Sequence, residues 1–143
     1  MSTETQLLEL ERGFWTKGAD FYRQHVDRTC LLAFTEQAGL VVRDAVAASV
    51  GDEPRWQDVQ MELKGFSQPS DGFAILTYRA HARRPTGEPY ESLVSSAYVR
   101  RNGDWKLAFH QQTPLGLEPR PSSDYEVAGR EPAGVGTRLG IDT

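Results

Sequence analysis

The sequence predicts an α+β fold in which N-terminal helices cover the concave face of a curved sheet of mixed but largely antiparallel strands. Apolar residues recur with the helical period between Leu7 and Tyr22, and apolar and polar residues alternate from Trp56 onward. The dipeptide Asn102-Gly103 marks a tight hairpin before the last strand. A length of 143 residues favours a single domain, which we expect to span residues 1–115.

The N-terminal region is predicted to form two helices. Thr3 followed by Gln6 is a capping-box pattern, which predicts a helix that begins near residue 4. Gly18 interrupts the pattern, and a second short helix is expected to begin there. One wide apolar stripe with the helical period contains Leu7, Leu8, Leu10, Phe14, Trp15, Phe21 and Tyr22. This stripe predicts the helical face that packs on the sheet.

Glu11 falls inside this apolar stripe, between Leu7 and Trp15. Burying a bare carboxylate costs several kcal/mol, so Glu11 must be paired, hydrogen-bonded or directed at a cavity. Three interpretations stay open. Glu11 makes a structural hydrogen bond to a strand group such as Gln111 or Gln112, it faces a pocket as an acid or base, or it lies in water on a frayed helix.

The rest of the domain is predicted to be a short hairpin, a short helix and an antiparallel meander. The helix is expected to stop at Gly51, followed by a loop over residues 52–55. The predicted strands are residues 29–34, 40–42, 56–66, 73–83, 90–101 and 104–114, and the predicted helix is residues 44–50.

The last strand is predicted to form the wall of a pocket. Strict alternation places Trp105, Phe109 and Gln111 on one face and His110 on the other. If the face with Trp105 lines a cavity, Gln111 supplies an amide there and His110 is a structural residue on the outer side. Tyr78 directs its phenol either into the cavity or into an interface, and alternation does not decide between these.

The two middle strands carry apolar and small residues on both faces. A sheet that is apolar on both faces needs a cover on each. Helices cover one face, and a second copy of the sheet is the simplest cover for the other. The sequence therefore predicts a homodimer through the outer sheet face.

Composition excludes several partners. A net charge of −4 without a Lys/Arg cluster argues against nucleic acid and against an anionic membrane surface as binding partners.

The single cysteine, Cys30, lies in an apolar run and is expected to be a buried, inert thiol. His25, His81 and His110 stand far apart without metal-ligand spacing, so neither a metal nor a cofactor is expected. No secretory signal or long apolar run occurs, which predicts a cytoplasmic protein. The Gly- and Pro-rich residues 116–143 are expected to be an extended or disordered tail.

Three stretches of the chain resemble the nuclear-transport-factor-2-like (NTF2-like) superfamily. They are Leu7-Leu8-Glu9-Leu10-Glu11-Arg12 with Phe14-Trp15, the short helix after Gly39, and Gly103-Asp104-Trp105-Lys106-Leu107 with His110-Gln111-Gln112-Thr113-Pro114-Leu115. The resemblance covers roughly residues 4–115 and is strongest to uncharacterised bacterial members beside the polyketide-cyclase-like and ketosteroid-isomerase-like branches. It implies a cone-shaped, cystatin-like fold with a cavity between sheet and helices, usually in a dimer.

The resemblance does not imply one activity. The isomerases combine a carboxylate base with a Tyr and a protonated Asp, yet no Asp or Glu occurs within residues 73–86 or 105–115 here. Glu36 lies near the loop that carries the isomerase base. The cyclase-like members use an Asp and a His, and His110 is the only conceivable counterpart.

Two functions therefore stay open. In the first, the cone binds a small, mostly apolar molecule, with Trp15, Tyr78, Phe109 and Gln111 as the pocket residues. In the second, the protein is an isomerase, cyclase or hydrolase that acts by proton transfer on a polyketide- or steroid-like substrate. Glu11 would then be the acid or base and Gln111 the oxyanion donor. A third possibility is a cavity filled by side chains, in which case the dimer is only an assembly unit.

Overall fold

The computed structural model describes residues 1–51 and 56–116. In chain order the described elements are α1 (Thr3–Thr16), α2 (Ala19–His25), β1 (Val26–Ala33), β2 (Ala38–Val42), α3 (Arg43–Val50), β3 (Gln57–Ser70), β4 (Phe73–Arg83), β5 (Pro89–Arg101) and β6 (Asp104–Pro114). The order of elements agrees with the prediction, and the main difference is β3, which continues to Ser70 instead of ending at Phe66. The predicted loop at residues 52–55 and all but the first residue of the predicted tail lie outside the described residues.

The six strands form one curved, open sheet in the order β2-β1-β6-β5-β4-β3. β1 and β6 run parallel, and every other neighbouring pair is antiparallel. The predicted fold class, helices on a curved mixed sheet, is confirmed.

The core lies between α1 and the concave face of the sheet. Leu7, Phe14 and Trp15 of α1 are buried in one cluster with Tyr78 of β4 and Tyr98 of β5. Removing these side chains from water drives the helix onto the sheet, because each large apolar side chain contributes about 1.5–3 kcal/mol on burial. The apolar stripe predicted for α1 is therefore the packed face.

The start of α1 differs from the predicted capping box by one residue. Ser2 is the N-cap, and its hydroxyl accepts a hydrogen bond from the backbone N–H of Thr5 at 3.1 Å. Thr3 is the first helical residue instead. A serine cap satisfies one of the free N–H groups of the first turn as well as threonine does.

The hairpin between β5 and β6 has the predicted geometry. Asn102 and Gly103 have φ angles of 53° and 87°, so both central residues are left-handed. This combination is typical of a type I′ turn, whose twist matches that of the flanking strands. The turn sets the register in which Arg101 pairs with Asp104 and Arg100 with Trp105.

A β-bulge interrupts β6 and reverses its alternation. Tyr98 of β5 pairs with Leu107, but the next residue, Ala97, pairs with Phe109, so Ala108 is the extra residue. An extra residue moves every later side chain to the other face of the sheet. His110 therefore lies on the concave face and Phe109 on the outer face, which corrects the strict alternation predicted for this strand.

Gly13 lies where α1 meets α2, and its position leaves no room for a side chain. A Cβ atom there would lie 2.1 Å from Cζ of Phe21, whose ring also packs edge-on against Phe14 at 5.1 Å between centroids. We expect Gly13→Ala to destabilise the protein by about 1–3 kcal/mol, because overpacking outweighs the roughly 0.5–1 kcal/mol by which alanine ordinarily favours a helix. Urea denaturation measures the change.

Gly72→Ala is the matched control for this substitution. A Cβ atom at Gly72 would meet nothing within 4 Å, so its effect should stay within about 0.5 kcal/mol. If Gly13→Ala were as stable as the parent protein, the close approach of Phe21 to α1 would be wrong.

Candidate functional site

A cavity of about 460 Å³ lies between the helices and the concave face of the sheet. Its wall is mainly aromatic and aliphatic, and includes Phe14, Trp15, Tyr22, Leu32, Trp56 and Tyr90. Two polar side chains of β6, His110 and Gln112, also line it. At its rim lie the exposed Thr35, Glu36, Gln37 and Arg84. A mostly apolar cavity with a few converging polar groups is typical of small-molecule sites, whose volumes run from about 300 to 1,000 Å³.

The polar groups of the cavity wall form a chain of hydrogen bonds. The hydroxyl of Tyr90 donates to Oε1 of Gln112 at 2.8 Å, and Nε2 of Gln112 lies 2.9 Å from Nε2 of His110. An amide nitrogen only donates, so in this arrangement Nε2 of His110 is the acceptor. The imidazole is then neutral and carries its proton on Nδ1.

The other imidazole nitrogen points away from the cavity toward buried groups. Nδ1 of His110 lies 2.8 Å from the hydroxyl of Ser96 and 4.0 Å from Oε1 of Glu11. Burial lowers the pKa of His110 below its usual value of 6.5, although the Glu11 carboxylate acts in the opposite direction. Burial and the hydrogen-bond pattern both favour the neutral ring.

Glu11 lies directly behind His110 and is fully buried. Its two oxygens accept hydrogen bonds from the hydroxyls of Tyr78 and Tyr98, each at 2.5 Å. The Tyr78 oxygen in turn accepts from Nε1 of Trp15 at 2.8 Å. Charge-assisted bonds of this kind offset the cost of burying the carboxylate.

The two phenols that hold Glu11 are perturbed by it. Burial, followed by the adjacent carboxylate, raises the pKa of Tyr78 and of Tyr98 well above the usual value of 10. Both phenols therefore remain donors throughout the range in which the protein is folded. Cys30, which also lines the cavity, has a pKa raised to about 12 by burial, so its thiol stays protonated and unreactive.

The structure places some of the predicted site residues at the cavity and others away from it. Trp15 lines the cavity, while Tyr78 and Glu11 form the hydrogen-bonded layer behind it. Phe109 and Gln111 follow the bulge onto the outer face, and the Gln111 amide donates to the hydroxyl of Thr113. Neither of these two lines the cavity. The partners expected for Glu11, Gln111 or Gln112, are replaced by tyrosines, and the catalytic role of Glu11 stays a prediction.

Sequence reasoning missed several residues of the site, among them Trp56, Tyr90, Tyr98, Arg84 and Gln112 as a pocket group. It also placed His110 on the wrong face. Tyr98 and Tyr78 occupy adjacent strands on one face, so a pair of buried tyrosines opposite a stripe carboxylate was the available signal. Nothing in the alternation of β6 signalled the bulge.

The pH dependence of stability should report on His110. Its folded pKa is lowered, so below about pH 6.5 the unfolded chain binds a proton that the folded protein does not. The contribution of His110 to stability is therefore complete above the unfolded pKa of about 6.5 and is lost as pH falls toward the folded pKa. The loss is at most about 1.4 kcal/mol per pH unit.

Urea denaturation from about pH 7.5 to about pH 5, a range that brackets the ordinary histidine transition, would measure this loss against a His110→Asn variant. The variant keeps the pH dependence of the other groups, including His25, whose pKa is also lowered. The free-energy difference between the two proteins should shift in favour of the variant as pH falls. A difference that is constant with pH would contradict the buried neutral imidazole.

These features define a class of protein, an open α+β cone with an aromatic pocket between its helices and its sheet. Neither a protein-family model nor a curated protein matches the chain. Solved structures do match it. An NTF2-like protein of unknown function from Prochlorococcus sp. NATL2A is 13% identical with a TM-score of 0.65, over 82% of this chain and 97% of that one.

Two further matches lead to the same fold. A putative ketosteroid isomerase from Parabacteroides distasonis is 11% identical with a TM-score of 0.66, over 81% of this chain and 90% of that one. A ketosteroid isomerase-like protein from Erwinia carotovora atroseptica is 17% identical with a TM-score of 0.61, over 81% and 94%. The chain has the NTF2-like fold, as the resemblance in its sequence predicted.

The described residues contain neither a membrane-spanning helix nor a metal-binding cluster. No helix within residues 1–51 and 56–116 is long and apolar enough to cross a membrane. In the same part of the chain, no three His, Cys, Asp or Glu side chains lie together in a way that would hold a metal ion.

Proposed function

We propose that this protein binds a small, mostly apolar molecule in the cavity of the cone. The observation that carries the proposal is the cavity itself, about 460 Å³ with an aromatic wall and two converging polar side chains, His110 and Gln112. The wall gains free energy by removing a flat apolar ligand from water. Among the described residues the Gln112 amide bonds Tyr90 and His110, so its second N–H and its second carbonyl lone pair supply the hydrogen bonds that orient the ligand.

A pocket-filling substitution tests the proposal. Leu32 lines the cavity from β1, and Leu32→Trp would fill much of the space beside it. We expect one- or two-ring aromatic compounds to raise the melting temperature of the parent protein and to bind it by calorimetry. The Leu32→Trp variant should lose this binding. Gln60→Trp, at an exposed position on edge strand β3, is the matched control and should retain it.

Two results would contradict the proposal. If a broad panel of such compounds neither binds nor stabilises the parent protein, or if Leu32→Trp binds them as well as the parent does, the cavity is not a ligand site. The second result would place any binding elsewhere on the surface.

We also propose that the protein is a homodimer through the outer face of the sheet. That face carries an apolar outer patch of exposed side chains, which comprises Leu31, Leu40, Val42, Ile75 and Leu93. Its members lie on four strands of one sheet, β2 and β1 on one side of β6 and β5 and β4 on the other. Exposed apolar surface of this extent is typical of interfaces, and an isologous pairing places the same patch on both sides.

Sedimentation at micromolar concentration tests the dimer. Ile75→Asp combined with Leu93→Asp places two charges on the outer patch and should yield a folded monomer, because an unpaired charge in an interface costs several kcal/mol. Gln60→Asp, outside the outer patch, should leave the dimer intact. A monomeric parent protein would end this part of the proposal.

A second candidate function is proton-transfer catalysis of the isomerase, cyclase or hydrolase type. The favouring observation is His110, which lines the cavity with an unprotonated Nε2 that accepts from Gln112, while Glu11 lies 4.0 Å from Nδ1. In such a reaction the Gln112 amide would turn away from Nε2, and His110 would take a proton from the carbon next to a substrate carbonyl, leaving an imidazolium and an enolate. Glu11 does not line the cavity and would act through His110, as a positioning residue that stabilises the imidazolium.

Deuterium exchange tests this second candidate. The protein would be incubated with an enolisable cyclic ketone in D₂O, and incorporation beside the carbonyl followed by NMR. A catalyst is expected to accelerate incorporation at least about 100-fold over buffer, and His110→Asn to remove the acceleration. Incorporation at the buffer rate with all ketones tried would leave binding as the function.

A further inference from the structure

We infer that the ligand of the cavity is an aromatic carboxylate of one or two rings, held by Arg84 at the rim and by Gln112 inside. This inference rests on the proposed function and names the class of molecule that the cavity takes. It is carried by Arg84, a cation that stands over the aromatic wall of the cavity without a carboxylate partner among the described residues.

Arg84 follows the last residue of β4 and turns its guanidinium back over the wall. The guanidinium carbon lies 4.8 Å from the ring centroid of Trp56 and 5.4 Å from that of Tyr90. The two rings are themselves 4.8 Å apart, and Trp56 packs edge-on against Trp15 at 5.3 Å. The aromatic cluster therefore fixes the position of the cation through its ring faces.

Within the described part of the chain, the guanidinium of Arg84 makes neither a hydrogen bond nor an ion pair, unlike those of Arg79 and Arg83. Arg83 bonds the carbonyl of Gly87 and approaches Asp58, and Arg79 pairs with Glu91. Within residues 1–51 and 56–116, no carboxylate lies within ion-pair distance of Arg84. A planar guanidinium held on an aromatic face still has its in-plane N–H groups available for a carboxylate.

The volume of the cavity and its polar groups set the kind of ligand. Arg84 stands over the Tyr90 ring, and the hydroxyl of that ring donates to Gln112 at 2.8 Å. The Tyr90 side chain thus contacts the cation through its ring and the amide through its hydroxyl. A ligand of one or two rings fits the cavity of about 460 Å³, with its carboxylate on Arg84 and a hydroxyl or carbonyl group on Gln112.

Charge elsewhere on the cavity wall is compatible with an anion bound at this end. Apart from Arg84 and the titratable His110, Glu36 is the charged side chain among the described residues that line the cavity. It lies on the turn after β1. In the sheet, β1 is three strands from β4. The end of the cavity near Arg84 is therefore the one suited to a carboxylate, and the end near Glu36 is suited to a neutral or donor group.

Calorimetry with a matched pair of probes tests the inference. The acid is 6-hydroxy-2-naphthoate, and the neutral probe is its carboxamide, which has the same shape. We expect the parent protein to bind the acid about tenfold more tightly than the amide, since a charge-assisted bidentate bond is lost with the charge. Arg84→Gln should weaken the acid about tenfold and leave the amide unchanged.

Arg83→Gln is the control, because it removes an equal charge from the neighbouring position outside the cavity lining. It should alter the binding of the acid less than about twofold, which separates a contact from a long-range effect of net charge. Added salt should weaken the acid and not the amide.

The outcomes distinguish the inference from the function on which it rests. If acid and amide bind equally and Arg84→Gln changes neither, the preference for a carboxylate is wrong and the cavity remains a binding site. If neither probe binds while neutral compounds bind and Leu32→Trp blocks them, the inference falls and the proposed function stands. If Arg83→Gln weakens the acid as much as Arg84→Gln does, the effect is net charge and the inference also falls.

Discussion

Replacing Glu11 by alanine is expected to destabilise the protein by about 3–5 kcal/mol, more than either glycine substitution proposed above. The carboxylate is fully buried and accepts from the hydroxyls of Tyr78 and Tyr98. Its removal leaves both phenols without their acceptor inside the core and opens a void beside them. Unpaired buried donors and lost packing act in the same direction.

Urea denaturation with circular dichroism measures this change. Glu9→Ala is the control on the same helix, since Glu9 is exposed to solvent and lies outside the buried cluster, and it should change stability by less than about 0.5 kcal/mol. Glu11→Gln keeps the shape of the side chain and should fall between the two. An effect of Glu11→Ala below about 1 kcal/mol would show that the carboxylate is not held by the two phenols.

Alkaline unfolding is the second large effect that the structure predicts. The pKa values of Tyr78 and Tyr98 are raised by burial and by Glu11, so these phenols stay protonated in the folded protein while the unfolded chain releases its protons at about pH 10. Their contribution to stability is fully present below that pH and is lost as pH rises further. With two protons involved, the loss approaches about 2.7 kcal/mol per pH unit.

Phenolate absorbance and circular dichroism, followed together from about pH 9 to about pH 12 across the range of tyrosine ionisation, test this prediction. Two of the five tyrosines should ionise only as the helical signal is lost. Tyr98→Phe should reduce that late absorbance change by one phenol. If all the tyrosines ionised while the protein kept its circular dichroism, the buried carboxylate–phenol arrangement would be wrong.

Much of the fold was predictable because local patterns and tertiary packing agree. The apolar stripe of α1 is the face that packs, the Asn102-Gly103 turn forms the hairpin, and β4, β5 and β6 lie within a residue of the expected bounds. Glu11 was singled out by its position alone, since a carboxylate in an apolar stripe needs buried partners. The partners were assigned wrongly, because sequence spacing does not show which strand residues face a helix.

The site depended on features that no local pattern contains. The bulge at Ala108 brings His110 and Gln112 into the cavity and sends Phe109 and Gln111 to the outer face. Its presence is decided by how β6 pairs with β5 and with β1 at the same time. In the same way, Arg84 has the sequence context of an ordinary turn residue, and only the folded chain places its guanidinium over Trp56 and Tyr90.

By itself, the sequence determined a cone of helices on a curved sheet and a carboxylate within the apolar stripe of its first helix, because hydrophobic periodicity and turn chemistry act between residues close in the chain. The tertiary structure alone decided which polar groups meet in the cavity and in the hydrogen-bonded layer behind it. Those meetings join residues from α1, β4, β5 and β6, and a single extra residue in one strand reverses which of them face inward.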